Sequence, residues 1–152
     1  MVFNNSDWLA QVKEDIVDPD REIIDPHHHL WPQADMYYNV PEFLADLTSG
    51  HNVVQTVFME CGAAYREDGP DHLKPVGETE FVAAAAAEMK AKGGPYIAGI
   101  VGHADLRGPH LEDVLDAHRD AANGLFRGIR HAGSRDTSGA TLRACSEFCI
   151  SC

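Results

Sequence analysis

Ile23-Ile24-Asp25-Pro26-His27-His28-His29 sets two β-branched apolar residues directly before a proline and three histidines. The Ile-Ile pair is a short buried-strand signal, and proline, which lacks the N–H that a ladder needs, favours a strand end. The histidines are therefore expected at the C-terminal end of a strand. Alternate side chains of an extended chain share a face, so His27 and His29 point one way and His28 the other. Two imidazoles at that spacing suit one divalent ion, with Asp25 placed to support them from behind. An arbitrary His-x-His is a solvated loop about as often, but a position straight after an apolar strand favours chemistry.

Outward from this stretch, the pattern predicts alternating elements. Before it, Ser6 can cap a helix carrying Trp8, Leu9, Val12 and Ile16 on one face, which Asp18-Pro19-Asp20 breaks. After it, Pro41 opens a helix with Phe43, Leu44 and Leu47, ended by Ser49-Gly50. Val53 to Met59 is the strongest strand signal, β-branched and nearly all apolar. A polar loop from Gly62 to Val76 leads to a helix capped by Thr79 and stopped by Gly93-Gly94-Pro95. Tyr96 to Val101 reads as a third strand, Leu111 to Ala122 as a helix, and Leu125 to Arg130 as a fourth strand.

Strands alternating with helices imply parallel pairing with right-handed crossovers, as in a doubly wound sheet or part of a (β/α)8 barrel. A whole barrel takes about 250 residues, so either the sheet is open or the chain holds part of a barrel. Residues 1–20 read as an N-terminal extension, 21–133 as the core and 134–152 as an irregular tail of different composition. Three of the four cysteines, Cys145, Cys149 and Cys152, lie in that tail and lack an evident fourth zinc ligand. Cys61 reads as a small buried residue.

The composition, 44% hydrophobic and 24% charged, is that of a globular domain. A formal charge of −12 repels phosphate backbones and anionic lipid, which argues against nucleic acid and membranes as partners. The longest apolar run, Phe81 to Ala87, is far shorter than the roughly 20 residues that cross a bilayer. The N-terminus lacks a basic head and apolar core of a secretory signal, which implies a cytoplasmic location. No dinucleotide fingerprint, Walker loop or Gly-x-Ser-x-Gly elbow is written.

Each expected strand delivers a polar group to one end of the sheet: the histidines, then Glu60, then His103 and Asp105, then Arg130 and His131. Glu60 could be a ligand, a base or an orienting group. Arg130 offers a planar fork for a substrate carboxylate, the bland alternative being an ion pair with Glu60 or Asp105. His51, His72, His110 and His118 have no spacing partner and read as structural or solvated.

Asp25-Pro26-His27-His28-His29-Leu30-Trp31, Val57-Phe58-Met59-Glu60, Gly77-Glu78-Thr79-Glu80-Phe81, Ile100-Val101-Gly102 and Phe126-Arg127-Gly128-Ile129-Arg130, in that order, resemble the amidohydrolase 2 family. The resemblance covers about residues 20 to 131. It implies the N-terminal half of a (β/α)8 TIM barrel of about four βα units, with a metal-dependent hydrolase or lactonase activity on a lactone, amide or related carbonyl. It further implies one divalent metal, typically zinc, on His27 and His29, although some members of the family act without metal. Arg130, with Glu60, would bind a carboxylate-bearing small-molecule substrate. The remaining ligands and the general base would lie in a second half, so this chain alone is expected to be an inactive fragment. Two alternatives are a non-catalytic half-barrel that pairs with itself as a homo-oligomer, and a phosphoesterase of the polymerase-and-histidinol-phosphatase type.

Overall fold

The computed structural model describes residues 6–132, and the cysteine-rich tail lies outside them. The first helix, α1, is only Ser6–Leu9, so Val12 and Ile16 are not part of it. Trp8, Leu9 and Val12 are exposed, whereas Ile16 is partly buried and lies over Gly50. A four-residue helix has too few internal hydrogen bonds to hold itself together without burial.

Strand β1 is Ile23–His28. It runs two residues further than expected, through Pro26 and into the histidines. Proline is tolerated here because β1 is an edge strand, and its pairing slips between Asp25 and His28. A small antiparallel hairpin, β2 (Trp31–Gln33) and β3 (Met36–Tyr38), follows; its three-residue strands are too short for periodicity to reveal.

Helix α2 is Val40–Leu47. Its start is a capping box, in which Glu42 accepts the Asn39 N–H at 3.1 Å and the Asn39 side chain accepts from Val40 at 2.8 Å. Strand β4 (Val53–Met59) leads through a loop with a 3-10 turn at Asp71–Leu73 into α3 (Val76–Lys92). Thr79 is therefore inside α3, not its cap; the helix begins earlier, with Pro75 preceding it. Gly93, at φ 73°, ends it in the left-handed conformation that glycine adopts without strain. Strand β5 (Tyr96–His103), α4 (Leu111–Ala121) and β6 (Phe126–Arg130) complete the fold.

The sheet has the order β1-β4-β5-β6 with every pair parallel. Each crossover steps to the next position in the same direction, so α2, α3 and α4 line up on one face. The core lies between them: Phe58, Val82, Met89, Ile97 and Ile100 are buried there with Leu30, Val40 and Phe43. On the other face, Ile24 is 57% exposed.

The half-barrel expectation is corrected here. The molecule is an α/β fold with one open four-stranded sheet, and β1 and β6 lie at opposite edges with β4 and β5 between them. Closure needs the last strand to pair with the first. Neighbouring strands turn by only about 20–25° each, so four of them cannot come round to meet.

Among the described residues, no helix is long and apolar enough to cross a membrane.

Candidate metal and anion site at the sheet rim

Because all four strands are parallel, their C-terminal ends share one rim. At β1 the alternation of side chains places His28 against the core and leaves His27 and His29 on the other side. His28 stacks on Phe43 with ring centroids 4.2 Å apart, and burial lowers its pKa to about 4. Neither His28 nitrogen has a hydrogen-bond partner of good geometry among the described residues, although the Val57 backbone lies near enough to favour the charged form somewhat.

The Nε2 atoms of His27 and His29 lie 3.2 Å apart. His29 Nδ1–H donates to the Met59 carbonyl at 2.8 Å, which leaves its Nε2 with a free lone pair. Burial, and after it the charges of His27 and Arg130, hold the His29 pKa below its ordinary value. Two lone pairs cannot sit at that distance unmediated, so either a proton on His27 Nε2 or a cation must lie between them. The Asp25 carboxylate accepts the His27 backbone N–H at 3.0 Å and thus holds the irregular end of β1 rather than an imidazole nitrogen.

Glu60 and Arg130 meet across the end of β5. Arg130 Nε donates to Glu60 Oε1 at 2.7 Å, and a guanidinium amino group donates to the Glu60 carbonyl. The structure thus realises the ion pair foreseen as the bland alternative for Arg130. The Arg130 side chain remains 36% exposed while that of Glu60 is 14% exposed, so the fork is held from below and presents an open side. His103 Nδ1–H donates to the Arg130 carbonyl at 3.1 Å, repeating the His29 arrangement two crossovers along. His131 accepts the Leu106 N–H at 3.2 Å and meets the His103 ring edge-on. The Asp105 carboxylate accepts from the Arg107 N–H and Nε–H and also lies 3.4 Å from His131 Nδ1.

Sequence reasoning missed the part of Glu78. Its carboxylate accepts the Cys61 and Ala63 N–H groups at 3.1 and 2.7 Å and so fixes the chain that follows Glu60. Burial raises its pKa to about 7, and its second oxygen has no partner among the described residues. Burial, and after it the Glu78 charge, push the Cys61 thiol well above its ordinary range, which disfavours the thiolate. Gly77 lets α3 approach this loop: a Cβ there would fall 2.6 Å from the Ala64 carbonyl oxygen.

Of the structural and solvated alternatives expected for His118, the structure has the first: it is fully buried. Its Nε2–H donates to the His103 carbonyl at 2.9 Å, and its Nδ1 accepts the Thr79 hydroxyl at 2.8 Å. His72 and His110, which have no spacing partner in the sequence, stack on one another near Asp113. Only the tertiary fold could pair them.

An uncharacterised protein of Sinorhizobium fredii, y4mH, is 34% identical over 143 aligned residues, which cover 80% of this chain and 43% of that protein. The chain thus spans less than half the length of this curated relative. No family model matches it, and no solved structure matches it significantly.

Proposed function

We propose that the rim is part of the active site of a metal-dependent hydrolase of the amidohydrolase type, acting on a lactone, amide or related carbonyl. The observation that carries this reading is the 3.2 Å separation of the His27 and His29 Nε2 atoms, with the His29 tautomer set by Met59. Metal–nitrogen bonds of about 2.0–2.1 Å at a tetrahedral angle put two ligand nitrogens roughly 3.3–3.4 Å apart, so the pair fits one zinc-like ion. When bound, such an ion supplies Lewis acidity and a water deprotonated near neutral pH.

The chain's own groups do the rest of what can be derived. The Met59 carbonyl keeps the proton of His29 on Nδ1 and its lone pair on Nε2. Glu60 holds the Arg130 guanidinium in one plane, and the open side of that fork is suited to a substrate carboxylate. Two nitrogen ligands fall short of the three that catalytic zinc usually takes, so turnover by this chain alone is expected to be slow.

Zinc titration calorimetry tests the reading, with Cys145, Cys149 and Cys152 replaced by serine to remove competing thiolates. The expected result is that H27A/H29A loses one equivalent of zinc and any zinc-dependent opening of carboxylate-bearing lactones. Unchanged uptake at this site, or hydrolysis confined to phosphate esters, overturns it.

A further inference from the structure

Away from the His27 and His29 pair, the loop before α3 and the start of α4 bring together a second group of metal-binding side chains. His72 lies in the 3-10 turn Asp71–Leu73, His110 at the N-cap of α4, and Asp113 in its first turn. One ligand atom from each lies within 4.8 Å of the others. The two imidazole rings stack with centroids 4.2 Å apart and planes 18° apart, and His110 Nδ1 lies 3.7 Å from Asp113 Oδ2.

We propose that His72, His110 and Asp113 form a second divalent-cation site, of the zinc, cobalt or nickel class, that ties the loop before α3 to α4. Two imidazoles and one carboxylate are the donor set those ions prefer, with water completing the shell. His110 stands at a helix N-cap, where Ser, Thr, Asp or Asn would bond to the first turn, yet its side chain caps nothing. The imidazole is instead turned toward His72. The 3-10 turn is packed against α4, so the backbone already holds the three residues in register and only side chains have to move.

The required motion is small and identifiable. Two imidazoles bound to one tetrahedral ion have centroids roughly 5 Å apart and ring planes that meet at the ion. Stacked planes 18° apart do not meet there, so one ring has to rotate about χ2. The side chain of His110 is 53% exposed and that of Asp113 72%, which leaves room for that rotation. The nearest lysine of the turn, Lys74, is already paired with Asp71 at 2.7 Å and leaves the Asp113 charge available to a cation. The first turn of α4 also carries Glu112, which offsets the positive end of the helix.

Zinc and cobalt titrations of the 152-residue chain, with Cys145, Cys149 and Cys152 replaced by serine, separate this site from the rim. H72A/H110A should lose one equivalent of metal and keep the equivalent assigned to His27 and His29, while H27A/H29A should keep the one lost in H72A/H110A. Zinc should also raise the melting temperature of H27A/H29A by several degrees, and D113N should weaken binding about tenfold or more. H72Q/H110Q, which keeps polar side chains at both positions, controls for a folding defect and should show the same loss. Metal uptake and melting shift unchanged in H72A/H110A and H72Q/H110Q overturn the second site, whatever the fate of the first.

Discussion

At the scale of single residues, the rim depends on groups whose protonation the fold has chosen. Glu78 is the clearest. It is 1% exposed, and burial raises its pKa from 4.5 to about 7. A carboxyl with a raised folded pKa binds more protons in the native state than in the unfolded chain. Its contribution is therefore fully present below pH 4.5 and is lost as pH rises through about 7. At about 1.4 kcal/mol per unit, that loss amounts to roughly 3 kcal/mol. In E78Q the group cannot ionise, and an amide oxygen still accepts the Cys61 and Ala63 N–H groups. Urea unfolding at pH 4.5 and 8 is expected to show E78Q gaining on wild type by about 2–3 kcal/mol as pH rises. A difference independent of pH would show that Glu78 is not the protonated, buried group described. The polarity of Glu78 was visible in the sequence, but its burial was not, because nothing in a helix-starting Gly-Glu-Thr says that the carboxylate turns inward to a loop.

At the scale of elements, His118 ties four of them together. Through Thr79 it touches α3, through the His103 carbonyl it holds the end of β5, and it is itself part of α4. Its ring stacks on Phe126 of β6 at 5.4 Å, and Gly102 leaves space for it where a Cβ would come within 2.8 Å. H118A would leave a buried hydroxyl and a carbonyl with one partner fewer, and a cavity where the ring was. The expected cost is about 3 kcal/mol in chemical unfolding, with a loosened His103 carbonyl visible as faster amide exchange at the end of β5. A cost under about 1 kcal/mol would mean the contacts are replaceable by water. The extents of α2, α4, β4 and β6 were legible from apolar spacing and from glycine and proline stops, whereas β5 runs two residues past Val101, to His103. The start of α3 was misplaced onto Thr79 because that hydroxyl serves a distant histidine, and a cap and a tertiary hydrogen bond look alike in sequence.

At the scale of the whole molecule, the described residues cover the sheet on one face and leave the other open. Phe58 is fully buried beneath the helices, whereas Ile24 is 57% exposed on the uncovered face. F58A is expected to cost about 3–5 kcal/mol, and I24K to stay within about 0.5 kcal/mol, both read from urea unfolding of the 152-residue chain. A large cost for I24K would show that the face is covered in solution.

Local sequence determined a good deal: a strand before the histidines, the facing of His27 and His29 on one side, the alternation of strands with helices, and the arrival of Glu60, His103 and Arg130 at one rim. These follow from the two-residue period of a strand and from parallel pairing, which need only neighbours in the chain. Tertiary structure alone decided that the sheet stays open, that Arg130 is held by Glu60, that Glu78 and His118 are interior, and that His72 meets His110. Each of those depends on which distant segments pack together, and burial, charge pairing and closure belong to that packing rather than to any stretch of chain.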